Sequence, residues 1–588
     1  MTHPIELNSE QAAMLQGERG LAKQMGMRLL LDMAAAAGAN ELIPVESAHL
    51  SGVSPLTGGL GLRLFLRRLA EDKEAAVAVP TTLNAAGCDP DQFDAMRIVV
   101  PDFLEHSQEI VALYTQLGVR PTQSCIPYEW EGVVTIGPAA WAESNAICFG
   151  NSYTGLVTNR ESGLSALAAA LTGYTPRYGL LLPEARRPNL EVVVECQLDS
   201  PTDYSILGDW IGMQRTSDWK MPPGPIPLIR GLGSELEHDQ RKALTAAAAN
   251  YGCPLLYIEG LSEDIPEPAF QDQLRFGQND LDKRYAQLRP GSAVSLVVIG
   301  CPQASVSELR AVAHLLQGRK VQSAPGGETP PLWVFTSSHN LAIAEKIGVA
   351  SAIRGAGALL LAHTCPEVVP YDTAWVKHVL TNGMKAEHYI RSGLNGIPTS
   401  VMKLEECLAV AAGDVVIEAT SPLGTAPMQK KKGSASLQPA ADSRDRRNSF
   451  SGAGLPSQSS FSVRGEAFVT AAPITLLGFV NRETGVIEEE GHPADGQSMA
   501  GKIAIFPKGS GSTVAPYVLL ELYYRGNAPL AVVNTDIDQQ SAPACSLEGI
   551  PYGFGFDLAV LTEIQSGDLV ELRREGDTVT LRRLDPAS

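Results

Sequence analysis

The chain has 588 residues, 44% of them hydrophobic, and a formal net charge of -19. That is apolar material for three or four packed domains, while the acidic balance argues against a nucleic-acid partner, which needs a basic face. No apolar stretch is long enough to span a bilayer, the opening MTHPIELNSEQAAML lacks a signal pattern, and nine scattered cysteines fit reduced thiols in a cytoplasmic protein rather than a disulfide framework.

Asn8 or Ser9 caps a predicted helix over Glu10 to Leu15, and a longer helix follows over Leu21 to Ala37, ending near Gly38. A strand at Leu42 to Val45, a loop holding His49 and Ser51 to Ser54, a helix over Leu60 to Ala70 and a strand at Ala75 to Val79 come next. The alternation continues with a helix over Asp102 to Leu117, a strand before Cys125, a buried strand at Leu190 to Cys196, a helix over Glu235 to Tyr251 and a strand at Pro254 to Glu259. Strand Val294 to Gly300, helix Val306 to Leu316, strand Pro331 to Thr336, helix Asn340 to Ile347, strand Ala358 to Ala362 and helix Lys403 to Ala412 complete this part. Strands alternating with helices predict an α/β fold built on mostly parallel sheets.

Residues 426–462 break the pattern. MQKKKGSASLQPAADSRDRRNSFSGAGLPSQSS has no apolar period and is rich in Ser, Gly, Pro and charge, so it reads as a flexible tether between a large part, 1–425, and a small domain, 463–588. Lys430 to Lys432 read as solvated linker charge or as a localisation signal. Strands are predicted beyond it at Gly465 to Thr470, Ile474 to Phe479, Lys502 to Phe506 and Leu530 to Asn534. A final hairpin joins Leu569 to Arg573 and Thr578 to Arg582 across Arg574 to Asp577. One helix, Val514 to Tyr524, follows Gly509-Ser510-Gly511-Ser512-Thr513.

Three cysteines share a setting. Cys125, Cys301 and Cys365 each follow a β-like apolar run and have a proline just after them. In an open α/β sheet the carboxyl ends of strands are where ligands bind, and a proline there stops the ladder and leaves the thiol at the rim. Three such thiols suit one iron centre with a coordination position left for substrate. The competing reading is three small buried hydrophobes. Cys253 precedes its strand, Cys196 lies in a strand, Cys407 in a helix, Cys88 in a polar loop, Cys545 in the small domain, and Cys148 in helix or loop. No CxxC, HExxH or close histidine pair occurs, which disfavours zinc.

The loop from Gly509 to Thr513 opens a helix, where backbone N–H groups favour an anion. A serine there is a candidate proton acceptor, although a phosphate-cradling loop and a simple turn fit the same residues. Glu143-Ser144-Asn145, Asn151-Ser152, Asn159-Arg160 and the run Thr381 to Tyr389 are unusually polar for their setting. They read as carboxylate- and hydroxyl-binding groups, or as caps and turns.

Together AHLSGVS (Ala48 to Ser54), VPTTLN (Val79 to Asn84), SCIPY (Ser124 to Tyr128), WAESNAICFGNSYTGLVTNRESG (Trp141 to Gly163), LTGYTPRYG (Leu171 to Gly179), GCP (Gly300 to Pro302), HTCP (His363 to Pro366), TNGMKAEHY (Thr381 to Tyr389), GFVNRETGVI (Gly478 to Ile487), GKIAIFPKGSGST (Gly501 to Thr513) and RGNAPLAVV (Arg525 to Val533) resemble the aconitase X family, a divergent branch of the aconitase superfamily. The resemblance implies a three-lobed α/β large part with parallel or mixed sheets and a small swivelling β/α domain, fused with the large part first.

It implies a hydro-lyase dehydrating a small hydroxy acid in the cleft between them. Cys125, Cys301 and Cys365 match the family's iron–sulfur ligands, for a 2Fe-2S or a 4Fe-4S cluster, with mononuclear iron as the alternative. Ser512 matches its catalytic serine, and Gly52, Val53, Ser54, Asn84, Ala85, Glu143, Ser144 and Lys385 fall on substrate-contacting positions. The fused order resembles members that dehydrate cis-3-hydroxy-L-proline to Δ1-pyrroline-2-carboxylate; members made of two chains dehydrate mevalonate 5-phosphate.

This sequence departs from the family pattern at Gln303 and Ala304, at His363 and at Gly383 and Met384, and its tether is long. A relative that kept the fold for binding alone is the non-enzymatic alternative. No membrane and no obligatory protein partner is expected.

Overall fold

The computed structural model describes residues 5–214, 224–270, 273–391, 394–417, 447–510, 512–538 and 540–584. The large part is built on three parallel sheets. The first contains β1 (Ser47–Leu50), β2 (Thr81–Leu83), β3 (Gly137–Trp141) and β4 (Leu156–Thr158) in the order β2-β1-β3-β4. The second contains β5 (Leu190–Val194), β6 (Pro227–Arg230), β7 (Tyr257–Ile258) and β8 (Gln273–Phe276) in the order β8-β5-β6-β7. The third contains β9 (Leu296–Ala304), β10 (Leu332–Thr336), β11 (Leu359–Leu361), β12 (Val379–Thr381) and β13 (Thr399–Val401) in the order β11-β10-β9-β12-β13. Leu296 to Ile299 and all of β10 are buried, as expected of parallel strands covered on both faces.

Helix α1 (Leu21–Ala37) buries Met25, Leu29, Leu30 and Met33 and packs against α4 (Gly163–Thr172). Between them in sequence lie α2 (Pro55–Ala70), capped by the Ser54 side chain with proline at its first turn, and α3 (Ser144–Tyr153). The small domain is a closed barrel of β14 (Ser449–Gly454), β15 (Phe461–Val469), β16 (Ile503–Phe506), β17 (Ala531–Asn534), β18 (Tyr552–Phe554), β19 (Leu569–Glu575) and β20 (Thr578–Arg583), in the order β14-β18-β17-β16-β15-β19-β20. Its helices α5 (Pro516–Tyr524) and α6 (Ala542–Glu548) pack on α2 and α1 respectively. A β-carbon at Gly61 of α2 would lie 2.6 Å from the Tyr517 carbonyl oxygen, so the two helices meet backbone to backbone. Arg482 reaches across to the carbonyls of Leu56 and Thr57 and pairs with Glu521. Asp32 of α1 accepts from Ser457 and Ser546.

Several expectations change. Ala75 to Val79 is not a strand: Val77 bonds to Leu117 and Ala78 to Ala170, one neighbour at a time, and pairing starts only after Pro80. His49 belongs to β1, not to a loop. Cys125 follows no strand; Arg120 makes a single bridge to Thr82, and Pro121 has no N–H to continue it. Cys301 lies inside β9, not beyond it, although the register with β10 slips between Ile299 and Ala304. Ile474 to Phe479 is not a strand: Leu477 is extended and Gly478 has a positive φ of 88°, which turns the chain. Of the expected tether, residues 426–446 lie outside the described residues. From Arg447 onward it belongs to the barrel, because buried Phe450 and Leu455 anchor the otherwise polar segment around β14.

Candidate functional site

The predicted residues gather where the first sheet, the third sheet and the small domain meet. Ser54, besides capping α2, donates to the carbonyl of Val368, three residues past Cys365. Asn84, at the end of β2, donates from Nδ2 to Glu143 Oε2 at 2.6 Å. Glu143 precedes α3, whose first residue, Ser144, is buried. Glu143 Oε1 receives the Lys385 ammonium at 2.6 Å, and the same ammonium lies 2.9 Å from Glu367 and bonds to Asn145. Lys385 is 1% exposed. Burial works against its charge, but Glu143 and Glu367 outweigh it and hold the ammonium well above the usual lysine range. Burial pushes Glu367 up, with Lys385 opposing.

The three thiols adjoin this charge cluster. Cys125 and Cys365 are buried with Ala85 and Ile126 in one small apolar patch. A hydrogen bond to Cys125, then burial, raises the Cys365 thiol. Half-buried Cys301 donates to Glu367 Oε1 at 3.4 Å; burial, then Glu367, pushes its thiol up. Among the described residues no group of three His, Cys, Asp or Glu side chains is arranged to hold a metal ion directly. As donors, however, three sulfurs are soft ligands whose charge a cation would neutralise, and this chemistry fits iron.

The small domain closes the remaining side. Gly52 has φ +87°, and a β-carbon there would fall 2.3 Å from Tyr517 Cε2 and 2.9 Å from Val514. Val53 beside it is buried. The Tyr517 hydroxyl donates to the Ser51 carbonyl at 3.3 Å. Thr513 donates from its hydroxyl to the Ala142 carbonyl at 3.0 Å, and its own carbonyl accepts from Gly163 N–H at 3.3 Å. The turn that carries Ser512 is thereby tied to the carbonyl just before Glu143. Ser512 sits in the turn before α5, with the Val514 N–H 3.4 Å from its Oγ, and not on the helix itself.

Buried side-chain atoms of this region without partners among the described residues include Ser51 Oγ, Asn84 Oδ1, Thr364 Oγ1 and Arg160 Nε. Such a concentration of unsatisfied polar atoms suits a ligand pocket. Gly52, Val53, Ser54, Asn84, Ala85, Glu143, Ser144, Lys385, Ser512 and the three cysteines thus lie in one connected neighbourhood. Glu367 escaped the sequence reading. Its only signal is an acidic residue two places after Cys365, in a run that otherwise reads as buried.

Three family models match the chain: the aconitase X first domain over residues 4–184, third domain over 294–413 and swivel domain over 457–581. A Methanosarcina mazei protein named phosphomevalonate dehydratase large subunit is 36% identical, over 69% of this chain and 97% of its own. A Pseudomonas aeruginosa protein named cis-3-hydroxy-L-proline dehydratase is 32% identical over 69% of this chain and 70% of its own. The crystal structure of Thermococcus kodakaraensis aconitase X in its holo-form superposes with a TM-score of 0.62 at 31% identity, covering 69% of this chain and all of that one.

Proposed function

We propose that this chain, which belongs to the aconitase X family, is a hydro-lyase that dehydrates a small hydroxy acid, with cis-3-hydroxy-L-proline as the favoured substrate. One observation carries the substrate choice. Two buried carboxylates, Glu143 and Glu367, hold Lys385 between them, and these three groups, together with Arg160, whose buried Nε has no hydrogen-bond partner among the described residues, bear on Tyr389. A neutral set of paired charges matches a zwitterion, whose carboxylate goes to Arg160 and whose ring ammonium goes to the acidic side. A substrate carrying both phosphate and carboxylate would add uncompensated negative charge. The matched stretch also covers similar shares of this chain and of the P. aeruginosa protein, which are therefore of similar length.

In this reading Cys125, Cys301 and Cys365 hold an iron–sulfur centre, which supplies Lewis acidity toward the departing hydroxyl. Lys385 is fixed by its two carboxylates, and Asn84 and Glu143 orient the substrate from the end of the first sheet. Ser512 takes the proton from carbon 2 as hydroxide leaves carbon 3. The resulting enamine tautomerises to Δ1-pyrroline-2-carboxylate. The N–H of Val514 favours negative charge on the serine oxygen. Because the serine and the thiols come from different domains, closure assembles the site and excludes water.

A second reading, mevalonate 5-phosphate as substrate, is favoured by the 36% identity with the M. mazei large subunit. Anaerobically purified protein incubated with each compound separates the two. Formation of Δ1-pyrroline-2-carboxylate supports the first, turnover of the phosphate ester alone supports the second, and turnover of neither supports a binding role. Ser512→Ala should lose turnover while keeping iron and sulfide content.

A further inference from the structure

Gln303 is one of the positions where this sequence leaves the family pattern, and it is 0% exposed. Its side chain touches the segments carrying two of the thiols and is itself two residues from the third. Its Oε1 accepts from the Cys125 N–H at 3.2 Å. Its Nε2 donates to the Thr364 carbonyl at 2.9 Å, one residue before Cys365, and to the Gln123 carbonyl at 3.3 Å. Its backbone N–H also donates to Cys125 Sγ at 3.4 Å.

The strand that carries Gln303 is held from behind. The buried ammonium of Lys242 donates to the Gln303 carbonyl at 3.0 Å and pairs with Glu308. Thr336 and Asn340 donate to the Ala304 carbonyl. Ser305 donates to Asp239 at 2.7 Å, and its N–H donates to Glu308 at 2.9 Å. A fixed backbone thus presents one amide side chain to two loops that come from distant parts of the chain.

We infer that Gln303 is a positioning residue for the metal centre: its amide clasps the Cys125 and Cys365 loops to the Cys301 strand and so sets the spacing of the three sulfurs. The inference rests on the reading of those thiols as metal ligands. All three polar contacts of the amide are used, so no isosteric side chain reproduces them. Glutamate keeps the acceptor for Cys125 but has no donor for Thr364 and Gln123. Methionine keeps the volume and loses all three bonds. Groups that orient metal ligands typically alter metal affinity about 10- to 100-fold when replaced.

The test uses the full chain, stripped of metal and titrated with Co2+, whose thiolate charge-transfer absorbance reports bound sulfur without any turnover. Wild-type protein should show the band, and Cys125→Ser should lose much of it. Gln303→Met and Gln303→Glu should bind Co2+ at least about tenfold more weakly, with an altered band. Gln458→Met, which removes a half-buried, hydrogen-bonded amide from the small domain instead, should bind as wild type does.

In the unsubstituted chain the Cys125 amide should exchange as slowly as the amides of β9, a measurement that needs no variant. Wild-type affinity in both Gln303 variants, or rapid exchange at Cys125, overturns the clasp. A wild-type chain whose Co2+ band ignores Cys125→Ser overturns the metal reading itself.

Discussion

The Thr513 hydroxyl of the small domain lies 3.0 Å from the backbone carbonyl of Ala142, immediately before Glu143. This contact ties the serine-bearing turn to the end of the first sheet. Thr513→Val keeps the shape but leaves that carbonyl without its donor, which costs about 1 kcal/mol. Amide exchange across Val514 to Tyr517 should rise about fivefold, with little change in the global unfolding midpoint.

Gly52→Ala should be far more damaging. Its positive φ and the 2.3 Å approach to Tyr517 Cε2 leave no place for a methyl group. Urea unfolding should show a loss of about 2 kcal/mol or more. If the clash with Tyr517 is the cause, Tyr517→Ala in the same chain should add less than its separate cost.

Lys385→Met strands Glu143 and Glu367 in the interior without their shared ion-pair partner. Removing one partner of a buried ion pair costs about 3–5 kcal/mol. The variant should unfold at lower denaturant and regain stability as the pH falls, since burial already favours the protonated form of Glu367 and Lys385 no longer opposes it. A wild-type midpoint would contradict the charge network.

His49 offers a separate pH dependence. It is fully buried, its Nδ1 lies 2.8 Å from Thr82 Oγ1, and Trp141 packs beside it. Burial holds its pKa down at about 4 against an ordinary 6.5, with Glu143 opposing. The folded chain keeps it neutral while the unfolded chain takes up a proton, so acidification from pH 6.5 to about 4 favours unfolding. The loss should reach about 3 kcal/mol across that window. His49→Asn should flatten that slope in urea melts recorded at several pH values.

Much of the architecture is legible in the chain. Leu21 to Ala37 coincides with its predicted bounds, because a continuous apolar stripe runs between Gly20 and Gly38. Runs such as Leu296 to Gly300 announce parallel strands. Three-residue strands such as Thr81–Leu83 carry too short a pattern to locate, and the apolar Ala75 to Val79 imitates one. Phe450 and Leu455 were hidden in a Ser- and Gly-rich segment that composition alone assigns to a tether.

At the site the sequence singled out segments that meet in the fold, although Cys125 follows no strand and Cys301 lies inside one. The salt-linked trio of Glu143, Lys385 and Glu367 was not legible, since it joins segments of three different elements. Gln303 was visible only as an oddity; its role depends on where Cys125 and Thr364 arrive in space.

The interlocking of α1 with α6 and of α2 with α5 has a bearing on how the protein is made. During synthesis the sulfurs of Cys125, Cys301 and Cys365 leave the ribosome well before Ser512. A nascent chain lacking its last barrel strands therefore has sulfur donors but no docked serine. The unfinished polypeptide lacks the docked small domain, and the two ends of the molecule meet only once translation and folding are complete.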